Sequence, residues 1–242
     1  MTRNLARTLL LTAIIASSAT AQAPAPPPSR EGTTEASFVG TTGNSSTQSV
    51  GLGAELIVRP RGWETRFKSA YVRSEVGGVI KAQTVTAAAR AQRKFANRAS
   101  LFSQYGYLSD RFAGTLARHT ADFGVAGALI QRAAHTVTAD AGFGYATDTR
   151  VAGPGISTAT AGAGATYKWK VSATADLTDD GRYVGSVPKG ADWRYTNVLA
   201  LAAKINSALS LKVSNTVRYV NVPVTGFENT DVITAIAIVA KF

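Results

Sequence analysis

The sequence contains no cysteine. That excludes a disulfide framework, a thiolate metal site and a thiol nucleophile. Histidine is nearly as scarce, with only His119 and His135. Neither lies in a G-x-S-x-G element or a paired-histidine metal motif, so hydrolase and zinc chemistry lack their usual residues. Charged residues make up 17% of the chain, low for a soluble domain. Beyond the amino-terminal region there is no apolar run of helix-spanning length and no sustained 3.6-residue period. No cofactor or metal is expected.

The first residues read as an export signal. Arg3 and Arg7 precede the short apolar run "LLLTAIIA" (9–16), and "ATA" (19–21) is a small-x-small cleavage pattern. Cleavage is expected after Ala21. Losing those two arginines leaves 24 basic against 15 acidic residues, or +9. Export and the even spread of the bases argue against nucleic acid as a partner. The proline-rich stretch 22–32 ("QAPAPPPSREG") reads as a disordered leader.

From residue 33 to 242 the chain alternates in polarity with a period of two, in segments of about ten residues separated by turn residues. "SVGLGAELIVRP" (49–60) and "LSLKVSNTVRY" (209–219) are examples. Small residues crowd the polar face: Gly142, Gly144, Gly162, Gly164, Thr158, Thr160 and Thr166. The other face is modestly apolar, as in Ala159, Ala161 and Ala163. A soluble sandwich would show long solvated side chains opposite a bulky core. A wet, crowded interior opposite a face that need only match lipid is the pattern of a transmembrane barrel. The expected fold is all-β: a closed antiparallel up-and-down barrel.

Twelve strands are expected, at 33–43, 47–59, 63–74, 80–94, 98–109, 116–130, 135–147, 157–167, 170–178, 191–205, 208–221 and 230–242. Without the turn near Lys168–Lys170 the count falls to ten. Short connections alternate with longer ones, including 148–156 and 177–191, as periplasmic turns and outer loops do. Aromatic residues are expected in girdles at the strand ends: Trp63, Tyr167 and Phe242 on the periplasmic side, and Tyr71, Tyr105, Tyr145, Trp193 and Tyr219 on the outer side. The ending "DVITAIAIVAKF" places Phe242 in mid-pattern, where it also resembles the carboxy-terminal signal read by the outer-membrane assembly machinery.

Strand parity points ten bases inward: Arg66, Lys68, Arg90, Lys94, Arg118, Lys168, Arg194, Lys204, Lys212 and Arg218. It points five acids the same way: Glu55, Glu64, Asp122, Asp140 and Asp176. An excess of lumen bases favours anions, unless acids and bases pair across the barrel and fill it. Asp148, Asp179, Asp180 and Asp192 read as solvated acids of outer loops.

Four segments carry a family resemblance: "TTGNSSTQSVGLGAEL" (41–56), "YGYLSDRFAG" (105–114), "AGFGYATDT" (141–149) and "VRYVNVPVTGFENTDVITAIAIVAKF" (217–242). The run Asp110–Gly114 is the most specific of them. Together they resemble the salt-induced outer-membrane proteins, a bacterial domain family of unknown function. The resemblance implies a barrel in the outer membrane of a Gram-negative envelope, in contact with outer-membrane lipid and lipopolysaccharide. It transfers no catalytic or binding residue. Two functions stand side by side: a structural or stress-related barrel that passes small anionic solutes, and a lipid-modifying barrel enzyme. Of these the non-enzymatic one is expected.

Overall fold

A computed structural model describes residues 27–41 and 47–242. The expected signal peptide and the first part of the expected leader lie outside the described residues, as does the turn at Gly43-Asn44.

Twelve strands run in chain order. They are β1 (Arg30–Thr41), β2 (Thr47–Val58), β3 (Trp63–Val76), β4 (Val79–Lys94), β5 (Ala99–Asp110) and β6 (Thr115–Gln131). They continue as β7 (His135–Arg150), β8 (Ile156–Lys170), β9 (Ala175–Ser186), β10 (Trp193–Lys204), β11 (Leu209–Val220) and β12 (Thr230–Lys241). Each pairs antiparallel with its neighbours in sequence, and β1 pairs with β12, so the sheet closes on itself. Closure pairs the two edge strands with each other, as a sheet must do to cross hydrocarbon.

The closing seam is short. Only four residue pairs join β1 to β12, from Thr33↔Lys241 to Ala36↔Ile238. Reciprocal backbone bonds between Gly32 and Phe242, both 2.9 Å, extend it by one step. Pairing of Arg30, Glu31 and Gly32 with Val58, Ile57 and Leu56 of β2 draws them into β1, so the barrel begins three residues before the expected boundary.

Connections at the end that holds the barrel's two terminal strand ends have three or four residues: 59–62, 95–98, 132–134, 171–174 and 205–208. We call this the turn end. The opposite, loop end holds the longer connections 187–192 and 221–229 and a 3₁₀ turn, Arg111–Ala113. Asp110 caps that turn by accepting a hydrogen bond from the Ala113 N–H at 3.1 Å.

The ninth strand differs from expectation. The turn lies at 171–174, not at Lys168–Lys170, and β9 occupies most of the segment read as a long outer loop. "TDDGRY" has turn-like composition, but Asp180 and Arg182 alternate with Asp179, Gly181 and Tyr183 in unbroken register with β8 and β10. Ser172 and Thr174, read as strand residues, belong to the turn.

The inward glycines have a structural reason. Gly124 and Gly142 face each other in the β6–β7 ladder. A Cβ on Gly142 would stand 2.4 Å from the Phe123 carbonyl oxygen, and one on Gly124 would stand 2.2 Å from that of Ala141. The wall folds so tightly inward here that only hydrogen fits.

The outer wall is apolar and exposed, with Leu52, Val125, Leu201, Val213 and Ile236 among its residues. Trp193 at the start of β10 packs with Tyr183 and Tyr219, centroids 5.6 and 5.0 Å away, forming part of a loop-end girdle. Trp63, Trp169 and Phe242 sit at the turn end. Aromatics are not confined to the ends. Phe123 and Phe143 face each other at mid-strand, Phe143 being 73% exposed, and Tyr105 also lies mid-wall. A lipid-facing Phe ring is satisfied at any depth, whereas Trp and Tyr are drawn to the interface by their polar tips; Tyr105 departs from that rule with its hydroxyl partnered by His119 Nδ1 at 2.7 Å.

Candidate functional site

The polar parity of each strand lines the lumen, which falls into three zones. The turn-end zone is an open basin of about 790 Å³. Its wall carries nine bases, Arg59, Arg66, Lys68, Arg90, Lys94, Arg98, Lys168, Arg182 and Lys241, against five acids, Glu31, Glu55, Glu64, Asp140 and Asp180. Arg66 pairs with Glu55 and Glu64, both at 3.2 Å. Arg59, just past the end of β2, bonds to Glu31 at 2.9 Å and Glu64 at 3.0 Å. Burial disfavours its charge, but the hydrogen bonds from the guanidinium to Glu64 and Glu31 outweigh burial and hold its pKa above the ordinary arginine value.

Above the basin is a waist. Asp140 on β7 accepts from Arg90 on β4 at 3.2 Å and from Arg182 on β9 at 3.1 Å. Strands β4 and β9 lie on nearly opposite sides of the ring. Arg182 also meets Asp122 at 3.5 Å. The Arg90 guanidinium lies 3.8 Å above the ring of Phe102, the most deeply buried large side chain, at 2% exposure. Cation–π contact and the ion pair thus hold one arginine across the passage.

The loop-end zone is filled. Asp110 on β5 accepts from Thr84 at 2.7 Å and from Arg218 on β11 at 3.3 Å. Strands β5 and β11 are diametrically opposed in the ring, so this pair crosses the whole lumen. Asp148, 3% exposed, gathers Arg118 at 2.6 Å, Arg194 at 3.5 Å and Arg150 at 3.7 Å on one carboxylate oxygen. Thr158 and Ser186 share a hydrogen bond of 2.7 Å. Val224 of the last long connection is buried against Gly114, closing the top. Nε of Arg118, Arg150 and Arg194 is buried without a hydrogen-bond partner, as is Oδ1 of Asp148 and Asp192, the ion-pair contacts of Arg150 Nε and Asp192 Oδ1 falling short of one.

Of the bases read from parity, Arg66, Lys68, Arg90, Lys94 and Lys168 line the basin. Arg118, Arg194 and Arg218 belong to the loop-end zone. Lys212 pairs with Glu35 beside the seam. Lys204 sits at the turn end, where it donates to the Ala173 carbonyl at 3.4 Å. Among the acids, Glu55, Glu64 and Asp140 border the basin and Asp122 the waist. Asp176 stands opposite Lys170 and Ala202.

The count of ten bases to five acids does not describe this lumen. Glu31, Glu35, Asp110, Asp148 and Asp180 also face it, as do Arg182, Arg150 and Lys241. Asp148 and Asp180 were hidden by strand ends set too early, so they read as loop acids. Arg182 was lost in the same way, although strict alternation from Thr178 through Asp180 would have found it. Asp179 is the opposite case. It points to the outer wall, where it accepts from Asn197 at 2.7 Å. Asp192 is a buried loop acid beside Arg194, not a solvated one.

His119 lies on the outer wall, its Nδ1 2.7 Å from the Tyr105 hydroxyl and its ring tilted on Tyr107. His135 is 2.8 Å from the Tyr167 hydroxyl and stacks on Tyr167 and Trp169. Among the described residues no group of histidine and acidic side chains is arranged to hold a metal ion.

Twelve antiparallel strands closed around a charged, hydrogen-bonded lumen and wrapped in an apolar wall define a transmembrane-type β-barrel. The chain belongs to the family described as "Protein of unknown function, DUF481", whose pattern matches residues 34–242. No curated protein matches it. Among solved structures it is similar to the NanC porin, with 7% identity and a TM-score of 0.52, covering 87% of this chain and 98% of that one. It is also similar to the translocator domain of the autotransporter NalP from Neisseria meningitidis, with 10% identity, a TM-score of 0.48 and 90% of each chain covered. At 7% identity the likeness to the NanC porin is one of fold.

Proposed function

We propose that this protein is an integral outer-membrane barrel with a structural, stress-related role in the Gram-negative envelope, closed to solutes at rest. The turn end faces the periplasm and the loop end the exterior, as short turns and long loops do in such barrels. The salt-induced resemblance of the sequence supports the stress-related part. Outer-membrane lipid and lipopolysaccharide surround the apolar wall, and the assembly machinery inserts it.

One observation carries the closed state: Arg218 reaches Asp110 across the full width of the lumen. Below it, Arg90 and Arg182 meet on Asp140. Removing water from such pairs and then breaking them strands a buried charge, so the struts do not open spontaneously at low cost.

A second reading is supported by the basin. Nine bases against five acids in a confined polar space favour anions, and a barrel whose struts part would pass small anionic solutes. The lipid-modifying alternative has no comparable support. His119 touches tyrosines and no carboxylate, and an enzymatic role is not part of the proposal.

Planar-bilayer recording of the refolded protein tests both readings. The wild type is expected to show no steady conductance at low voltage. The double variant Arg182→Ala/Arg218→Ala is expected to conduct, with a reversal potential shifted toward the anion equilibrium. Steady large steps in the wild type would overturn the closed state, and a shift toward the cation equilibrium would overturn the anion preference.

A further inference from the structure

The net positive charge of this chain is sorted to one end. Ten bases are exposed around the turn end: Arg30, Arg61, Arg93, Lys94, Arg98, Arg132, Lys168, Lys170, Lys204 and Lys241. The acids nearest the rim, Glu31, Glu64 and Asp176, are partly buried, and Asp180 farther along the basin wall is exposed. At the loop end the exposed charges among the described residues are Lys81, Arg111, Lys189 and Glu228. Lipid headgroups would account for bases on the outer wall. They do not account for Lys94, Arg98, Lys168 and Lys241, which line the basin inside the barrel, where lipid has no access.

We propose that the basin is a binding site for a small multivalent oxyanion, a polycarboxylate or phosphate compound, entering from the periplasmic mouth. Three features carry this. First, Lys94, Arg98, Lys168 and Lys241 form no salt bridge among the described residues, whereas Arg59, Arg66, Arg90 and Arg182 are each tied to carboxylates. Four bases of the basin wall therefore carry free positive charge beside arginines that are already neutralised, and the one wall acid without a salt bridge among the described residues is Asp180, which accepts from Thr166 at 2.6 Å. Second, the amides of Gln92, Asn97 and Gln131 stand between these bases and supply neutral donors. Third, about 790 Å³ is the size of a small-molecule pocket, and the waist closes it on the far side. Three of the four free bases are lysines, flexible point charges that suit several spread negative groups better than one planar carboxylate. Low-dielectric walls focus their field into the opening.

This inference rests on the reading of a basin below a closed waist, but its test does not depend on conductance or orientation. Detergent-solubilised full-length barrel is titrated calorimetrically with inorganic tripolyphosphate and, separately, with citrate at low salt. Saturable binding is expected, weakening as salt rises. The variant Lys94→Gln/Arg98→Gln/Lys168→Gln/Lys241→Gln is expected to lose roughly tenfold or more in affinity. A control variant with Arg30, Arg61, Arg93 and Arg132 changed to Gln removes as much rim charge outside the basin and is expected to bind nearly as the wild type does. Equal loss in both variants would overturn the proposal in favour of a diffuse cationic rim, and absence of saturable binding in the wild type would overturn it outright. If the fourfold variant fails to refold, single replacements Lys94→Gln and Lys168→Gln, each expected to weaken binding about threefold, decide the matter, and unchanged affinity in both would sink it. A barrel that conducts yet still binds would leave the site standing and remove only the closed-state reading.

Discussion

Lys212 and Glu35 are joined across a strand that neither belongs to. Lys212 on β11 places its ammonium nitrogen 2.7 and 2.9 Å from the two carboxylate oxygens of Glu35 on β1, spanning β12. Ala237 of β12, opposite Lys212, is small and buried, which leaves room for the lysine to pass over it. The bridge lies where the ladder is shortest, with four residue pairs between β1 and β12. Lys212→Met should therefore weaken barrel closure by about 1–2 kcal/mol, a value reduced for partial exposure. Urea unfolding followed by gel mobility of the folded barrel checks this, with Glu35→Gln completing a double-mutant cycle. Additive effects of the two changes would show that the pair is not a brace.

The tight β6–β7 approach gives a second prediction. A Cβ at Gly142 meets backbone atoms that cannot move aside, so Gly142→Ala should destabilise the barrel by about 1–3 kcal/mol. Gly190 in the connection before β10 has open space around its Cβ position, and Gly190→Ala should be nearly neutral. Thermal unfolding of the two variants side by side separates local crowding from a general intolerance of substitution.

Gly114 holds the loop-end cap in place. Its φ of +81° is left-handed, and an added Cβ would crowd Val224 at 3.0 Å. Gly114→Ala should cost about 1 kcal/mol or more in backbone strain and displace the connection 221–229. Limited proteolysis reads this directly: new cleavage near Val222–Phe227 is expected in the variant and not in the wild type.

Asp179 is a carboxylate on the lipid-facing wall, four residues in from the start of β9, held by the Asn197 amide. A charge on that face costs stability in a depth-dependent way. Asp179→Val should be neutral or stabilising by about 1 kcal/mol, even though it sacrifices the hydrogen bond. Clear destabilisation in unfolding experiments would mean that Asp179 has a partner beyond Asn197.

Much of this architecture was legible from alternation alone. Eleven of the twelve strands lie within a few residues of their expected places, because a period of two with turn residues between segments leaves little freedom once one face must meet lipid. The ninth failed because Asp179-Asp180-Gly181 has the composition of a turn. Local composition lost there to the register imposed by β8 and β10. The site was legible only as a list of inward side chains. Arg66, Arg90 and Asp140 could be placed on the lumen face, but nothing in their spacing tells which charge reaches which.

The sequence by itself determined the class of fold, the apolar wall and the excess of positive charge, since each follows from parity and composition. Tertiary structure decided the rest. Asp110 and Arg218 are 108 positions apart and face each other only because six strands of curvature separate them in the ring. Whether such charges leave an open passage or fill it depends on distances across the barrel. A one-dimensional pattern does not contain those distances.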